Sequence, residues 1–206
     1  MKKLLLLFGF LLFGNIVMAQ TDYEVWSTLN ASGTLDKKEN IKFIIEGEDR
    51  YSHKTNDIKY FHYDIGLSYK LSDKFTIGGF YREIYVNKDN TSTRITQPHI
   101  DMFYKEPVGF KLRTRIEYQM FNGLDNQFRF RVRPAWQFKF WDNFNPFIQS
   151  EVFFSQRYDL TRNRLSIGST INAGKLQIQP SWTFESNNKD IWENRNVIWI
   201  NTKFKF

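Results

Sequence analysis

Along most of the chain apolar and polar residues alternate with a period of two. That period places every second side chain on the same face of a β-strand. The clearest stretch is residues 128–140. Phe128, Phe130, Val132, Pro134, Trp136, Phe138 and Phe140 share one face, and Arg129, Arg131, Arg133, Ala135, Gln137 and Lys139 the other. Residues 110–120 repeat it, with Phe110, Leu112, Thr114, Ile116, Tyr118 and Met120 against Lys111, Arg113, Arg115, Glu117 and Gln119. No helical period explains either stretch. Looser versions occur at 41–46, 61–70, 75–85, 95–104, 146–156, 164–171, 176–185 and 196–206. The pattern predicts about ten strands, most of about 10 residues or more. Strands of soluble proteins average about 5–6 residues, whereas tilted membrane-spanning strands need about 9–11. The expected fold is therefore all-β, a transmembrane antiparallel up-and-down β-barrel.

Connections between these segments alternate in length. Short ones are expected at 72–74, 106–109, 142–143 and 173–174, and longer polar ones at 52–59, 87–94, 122–127, 158–163 and 186–194. Short periplasmic turns and longer external loops are the habit of outer-membrane barrels. Residues 22–31 also alternate, and counting them gives an odd number where bacterial barrels have even ones. The expectation is ten wall strands, with twelve as the alternative and residues 20–40 left without a firm place before a barrel at 41–206. Pro98, Pro134 and Pro180 fall inside strands, where each removes a backbone donor, and bulges are expected there.

The N-terminus changes the compartment. Lys2 and Lys3 precede an apolar run at residues 4–13, and Val17 and Ala19 suit the positions before a cleavage site. Residues 1–19 are read as a signal peptide, too short to span a bilayer as a helix. An exported chain without cysteine has no disulfide to staple it. The net charge is +7, which suits a nucleic-acid binder, but export argues against that partner. The basic residues form no tail and are spread through the strands.

Energetics set the orientation. An arginine facing the bilayer midplane costs about 2–4 kcal/mol. Arg129, Arg131 and Arg133 facing lipid would together rival a domain's stability of about 5–15 kcal/mol. The phenylalanine face is therefore expected outside and the arginine face inside. A soluble periplasmic barrel with an apolar ligand is the inverted alternative. The C-terminus favours the membrane: Ile198, Ile200, Thr202, Phe204 and Phe206 alternate with Val197, Trp199, Asn201, Lys203 and Lys205. The ending at Phe204 and Phe206 resembles the assembly signal read by the machinery that inserts outer-membrane barrels.

The mature chain also resembles an uncharacterised family of outer-membrane barrels, recorded as a domain of unknown function in the Bacteroidetes group. The resemblance lies in Trp26, in Glu46 with Arg50, in residues 67–71, in Phe80-Tyr81-Arg82, in residues 129–134 and in residues 151–154. It implies a fold and an outer-membrane location and carries no activity.

The candidate site is the lumen. Glu46, Glu48, Arg50, Asp64, Arg82, Asp101, Arg113, Arg115, Glu117, Arg129, Arg131, Arg133 and Glu151 are expected inside. About eight strands already leave an interior that side chains fill, so these groups should meet, pair and largely close a narrow lumen. The structural salt-bridge network is the preferred reading; the sharper alternative is an anion-selective constriction, because arginine rings favour anionic solutes, with a small anionic solute as its partner. Outer-membrane lipid and the insertion machinery are the other expected partners. The alternative is a lipid-processing hydrolase built on His62 or His99. His62, Asp64 and Ser68 share a face, but residues two apart lie about 6–7 Å apart along a strand. There is no G-x-S-x-G elbow, HExxH or phosphate-binding glycine loop. No cofactor, metal or catalytic residue is assigned, and a non-enzymatic barrel is the preferred reading.

Overall fold

The structure, a computed structural model, describes residues 23–206 apart from 56, 89–90, 124, 157–158 and 190. The expected signal peptide lies outside the described residues. No described helix is long and apolar enough to cross a membrane.

Eleven strands make one closed barrel. They are β1 (Tyr23–Thr34), β2 (Ile41–Ser52), β3 (Asp57–Lys70), β4 (Phe75–Lys88), β5 (Thr91–Lys105), β6 (Phe110–Phe121), β7 (Gln127–Gln137), β8 (Phe144–Ser155), β9 (Leu160–Ala173), β10 (Leu176–Lys189) and β11 (Ile191–Lys205). Each pairs antiparallel with its chain neighbours. An odd number of up-and-down strands forces one parallel pair where the sheet closes. That pair is β1 with β11, in register from Tyr23 opposite Asn196 to Ser32 opposite Lys205. Closure leaves no strand edge unpaired.

Two sequence expectations change here. The count is eleven, not ten or twelve. The segment without a firm place is β1, whose backbone donors and acceptors are shared between β2 and β11. We call the end carrying the β2–β3, β4–β5, β6–β7, β8–β9 and β10–β11 connections the upper end, and the opposite end the lower. The long polar loops expected at the upper end are mostly strand. Asn87 pairs with Ser92, and Asn188 with Trp192, because a hairpin can continue its hydrogen bonding whatever the polarity of its side chains.

The prolines act differently from expectation too. Around Pro98, Pro134 and Pro180 the pairing to one neighbour lapses for two residues and resumes in the same register. Each proline stays paired on its other side. One absent N–H affects one seam only. The register shifts fall elsewhere, at Arg50/Tyr51 and Phe153/Phe154.

Burial is inverted relative to a soluble barrel. Among the described residues only Trp26, Ile84, Phe153 and Val197 are buried apolar side chains, against twenty-two buried polar or charged ones. Ile65, Leu67, Ile100, Ile116, Phe128, Ile148 and Ile200 are exposed on the outside. This removes the alternative of a soluble barrel with its phenylalanine face inward. Apolar surface on this scale needs an apolar surrounding.

Candidate functional site

The register brings charged side chains of successive strands to the same height inside the barrel. All thirteen residues assigned to the lumen have the inward parity. Asp101 of β5 lies opposite Arg115 of β6, which lies opposite Arg131 of β7. Side chains this long reach across one strand or two.

They form a belt around the wall. Arg113 and Arg115 both donate to Asp101, at 2.6 Å each. Glu117 accepts from Arg129 at 2.5 Å and from Arg131 at 2.6 Å. Arg131 reaches on to Glu151 at 2.6 Å. Glu151 also accepts from Arg164 at 3.0 Å, whose Nε donates to Glu185 at 2.5 Å. Arg195 continues from Glu185 at 3.0 Å to Glu24 at 2.6 Å. On the closing side Trp199 donates to Thr28 and Thr28 to Glu48, which pairs with Arg50. Arg82 joins Asp64 at 2.6 Å and Glu46 at 3.3 Å. His99 stands between two of these carboxylates, 3.6 Å from Asp64 and 4.0 Å from Asp101. Every strand contributes at least one member.

Two aromatic side chains hold the guanidinium groups apart. The Phe153 ring faces Arg131 at 4.6 Å, Arg164 at 4.8 Å, Arg162 at 5.2 Å and Arg129 at 5.3 Å. Trp26 faces Arg50 at 3.9 Å and Arg164 at 4.6 Å. A ring face attracts cations without adding a charge of its own, so four arginines share Phe153 as they could not share one carboxylate. Phe80 stacks on His99 at 5.0 Å and lies over Gly66 and Gly78. A side chain at either glycine would collide with that ring, so the glycines are what let it lie flat.

The belt hugs the wall and leaves a sizeable cavity inside the barrel, contrary to the expectation of a largely filled interior. A cavity of about 1470 Å³ remains, lined by residues of both ends, from Thr91 and Ser92 above to Lys111 and Lys203 below. Asp101, Glu117, Glu151 and Glu185 are fully buried and do not line it. Their arginine partners lie between them and the open space. Sixteen lysines and arginines line the cavity against six aspartates and glutamates. The lumen surface is therefore strongly cationic although most belt charges are paired.

Several belt members were not assigned from the sequence: Glu24, Trp26, Arg162, Arg164, Glu185, Arg195, His62, His99 and Phe153. Parity alone would have placed Phe153 beside Glu151, but its type pointed to the outside. Glu83 breaks the pattern in the other direction. Glu83 faces outward, yet it is fully buried beneath its donors: Arg94 at 2.8 and 3.1 Å, Thr96 at 2.9 Å, and Tyr81.

The histidines do not form a hydrolase site. His62 and His99 are buried in the lumen wall. Their neighbours are Glu46 at 3.4 Å and Glu48 at 4.0 Å for His62, and Asp64 and Asp101 for His99. Among the described residues neither has a serine partner. Glu46, His62 and Asp64 bring ligand atoms within 4.8 Å of one another. The Arg82 guanidinium already bonds both carboxylates, so a metal ion would have to displace it. Phe204 and Phe206 are exposed at the lower end, where the Phe206 amide donates to the Ser32 carbonyl at 2.9 Å.

A closed all-β barrel with an apolar exterior and a polar, hollow interior is a porin-like fold. The chain belongs to the family described as "Protein of unknown function (DUF2490)", whose sequence profile matches residues 23–197. No curated protein matches it. Among solved structures it is similar to the NanC porin, at 10% identity and a TM-score of 0.54, covering 89% of this chain and 99% of that one. An anion-selective porin from Comamonas acidovorans is more distant, at 9% identity and a TM-score of 0.40, covering 79% of this chain and 56% of that one. At such identities the likeness concerns the fold.

Proposed function

We propose that this protein is a non-enzymatic outer-membrane barrel that conducts small anionic solutes. The observation that carries the reading is the charge of the lumen surface: sixteen lysines and arginines line the cavity against six carboxylates, while Asp101, Glu117, Glu151 and Glu185 are buried behind their arginines. A solute on the axis meets guanidinium and ammonium groups first. A narrow lumen with low-dielectric walls concentrates that field, and cationic rings favour anions. The apolar exterior fits a bilayer, and the export signal at 1–19 directs the chain to it. Phe204 and Phe206 supply the signal for insertion.

The size of the passenger follows from the cavity. A 14-residue strand rises about 46 Å, or about 35 Å along the axis of a barrel with typical tilt. Spread over that length, the cavity is a narrow path for one small solute at a time. Proteoliposome uptake tests the reading. A small organic acid should enter faster than a neutral sugar of equal size and much faster than an amine. Equal rates for all three, or no uptake above empty vesicles, would overturn it.

A further inference from the structure

We infer that the lower mouth of the lumen is a binding site for a compact anion carrying two or more negative charges, with Arg133, Lys111 and Lys203 as its cationic walls. This rests on the reading of the lumen as an open path and adds a place and a ligand chemistry to it. These residues enter from β7, β6 and β11, near the lower ends of those strands, and all three line the cavity.

Their surroundings differ from those of every belt arginine. Among the described residues neither Arg133 nor Lys203 is hydrogen-bonded to a carboxylate. The charges acting most on Lys203 are Arg133, Glu46, Lys111 and Arg113, three of them positive. Those acting on Lys111 are Lys205, Lys105 and Arg133, all positive. The Lys111 ammonium donates at 2.5 Å to the Gln137 side-chain oxygen, a neutral acceptor. Carboxylates of the belt are spent on the belt: Asp101 holds Arg113 and Arg115, and Glu151 holds Arg131 and Arg164.

Like charges converging in a partly desolvated mouth repel one another, and the repulsion is relieved only by a counter-charge. Glu46 acts on Lys203, and Glu151 and Asp101 on Arg133, from a distance, but among the described residues no carboxylate bonds either cation, so the closing counter-charge comes from solution. One chloride cannot neutralise three cations, whereas a polycarboxylate or a phosphate compound can address them together. Gln149, Gln179 and Asn201 line the same cavity.

The test is calorimetric titration of the detergent-solubilised barrel with pyrophosphate, with tricarballylate and with chloride. Both polyanions should bind and chloride should not, and binding should weaken as salt rises. If only one polyanion binds, the ligand is a phosphate or a carboxylate accordingly, and the site stands. Arg133→Gln and Lys203→Gln should each weaken binding about tenfold or more, while Lys59→Gln, which removes a cation at the upper end, should leave it unchanged. Retained heat-modifiable migration confirms that each variant is folded. Polyanion binding without solute uptake in proteoliposomes would overturn the conduit and keep the site. Uptake of anions with no polyanion binding, or binding indifferent to both substitutions, would overturn the site and keep the conduit.

Discussion

The middle of the lumen and its lower mouth use the same residue types for opposite ends. In the belt each arginine has a carboxylate, and the pairs are shared so that one acid serves two or three bases, as Glu117 does for Arg115, Arg129 and Arg131. At the mouth Arg133 and Lys203 stand without such partners and Lys111 has only Gln137. Pairing turns charge into structure, because a buried ion is tolerated only when matched. Leaving charge unpaired keeps its field available to a solute. The belt is what holds the wall, and in the proposed conduit the mouth is what a passing anion would feel.

The difference can be broken by substitution, from the largest effect to the smallest. Removing the shared acid with Glu117→Ala leaves three arginines competing for what remains. It should cost about 3–5 kcal/mol in a urea titration of the barrel folded into vesicles. A loss under 1 kcal/mol would mean that the belt is not structural. Ile65→Arg puts a cation on the exposed outer face and should cost about 2–4 kcal/mol in the same titration. That sets the scale for a charge on the wrong side of the wall. Phe153→Leu keeps an apolar side chain but removes the ring shared by four arginines, and should cost about 1–2 kcal/mol. Lys203→Gln and Arg133→Gln should cost no stability and raise it slightly if anything, since no ion pair is lost and a like-charge repulsion is relieved. A cost of several kcal/mol at either position would place it in the belt and remove the contrast.

The lumen was legible in the sequence because arginine on alternate positions has only one affordable direction. Arg129, Arg131 and Arg133 told it on one strand, and parity carried it to the others. Who pairs with whom was not legible, since it depends on how neighbouring strands are staggered. Arg131 bridges Glu117 and Glu151 only because the register sets Arg115 and Phe153 opposite it and leaves each glutamate two residues away, on the diagonal. Phe153 and Trp26 were hidden by their type, which says lipid while their parity says lumen. Glu83 is the mirror case, a carboxylate whose parity says lipid and whose donors hide it. β1 was displaced by a counting rule rather than by its own pattern. The parallel seam with β11, which makes an odd count possible, leaves no mark in a single strand. The openness of the cavity was also beyond reach, because side-chain lengths suggest closure until their directions along the wall are known.

The most direct measurement is the zero-current potential of the purified protein in a planar bilayer under a tenfold potassium chloride gradient. The account predicts steady conductance with the dilute side negative, the sign of chloride crossing ahead of potassium. The potential should shrink in the Arg133→Gln Lys203→Gln double variant with no loss of stability. A dilute side that is positive, or a folded barrel that passes no current, would contradict it.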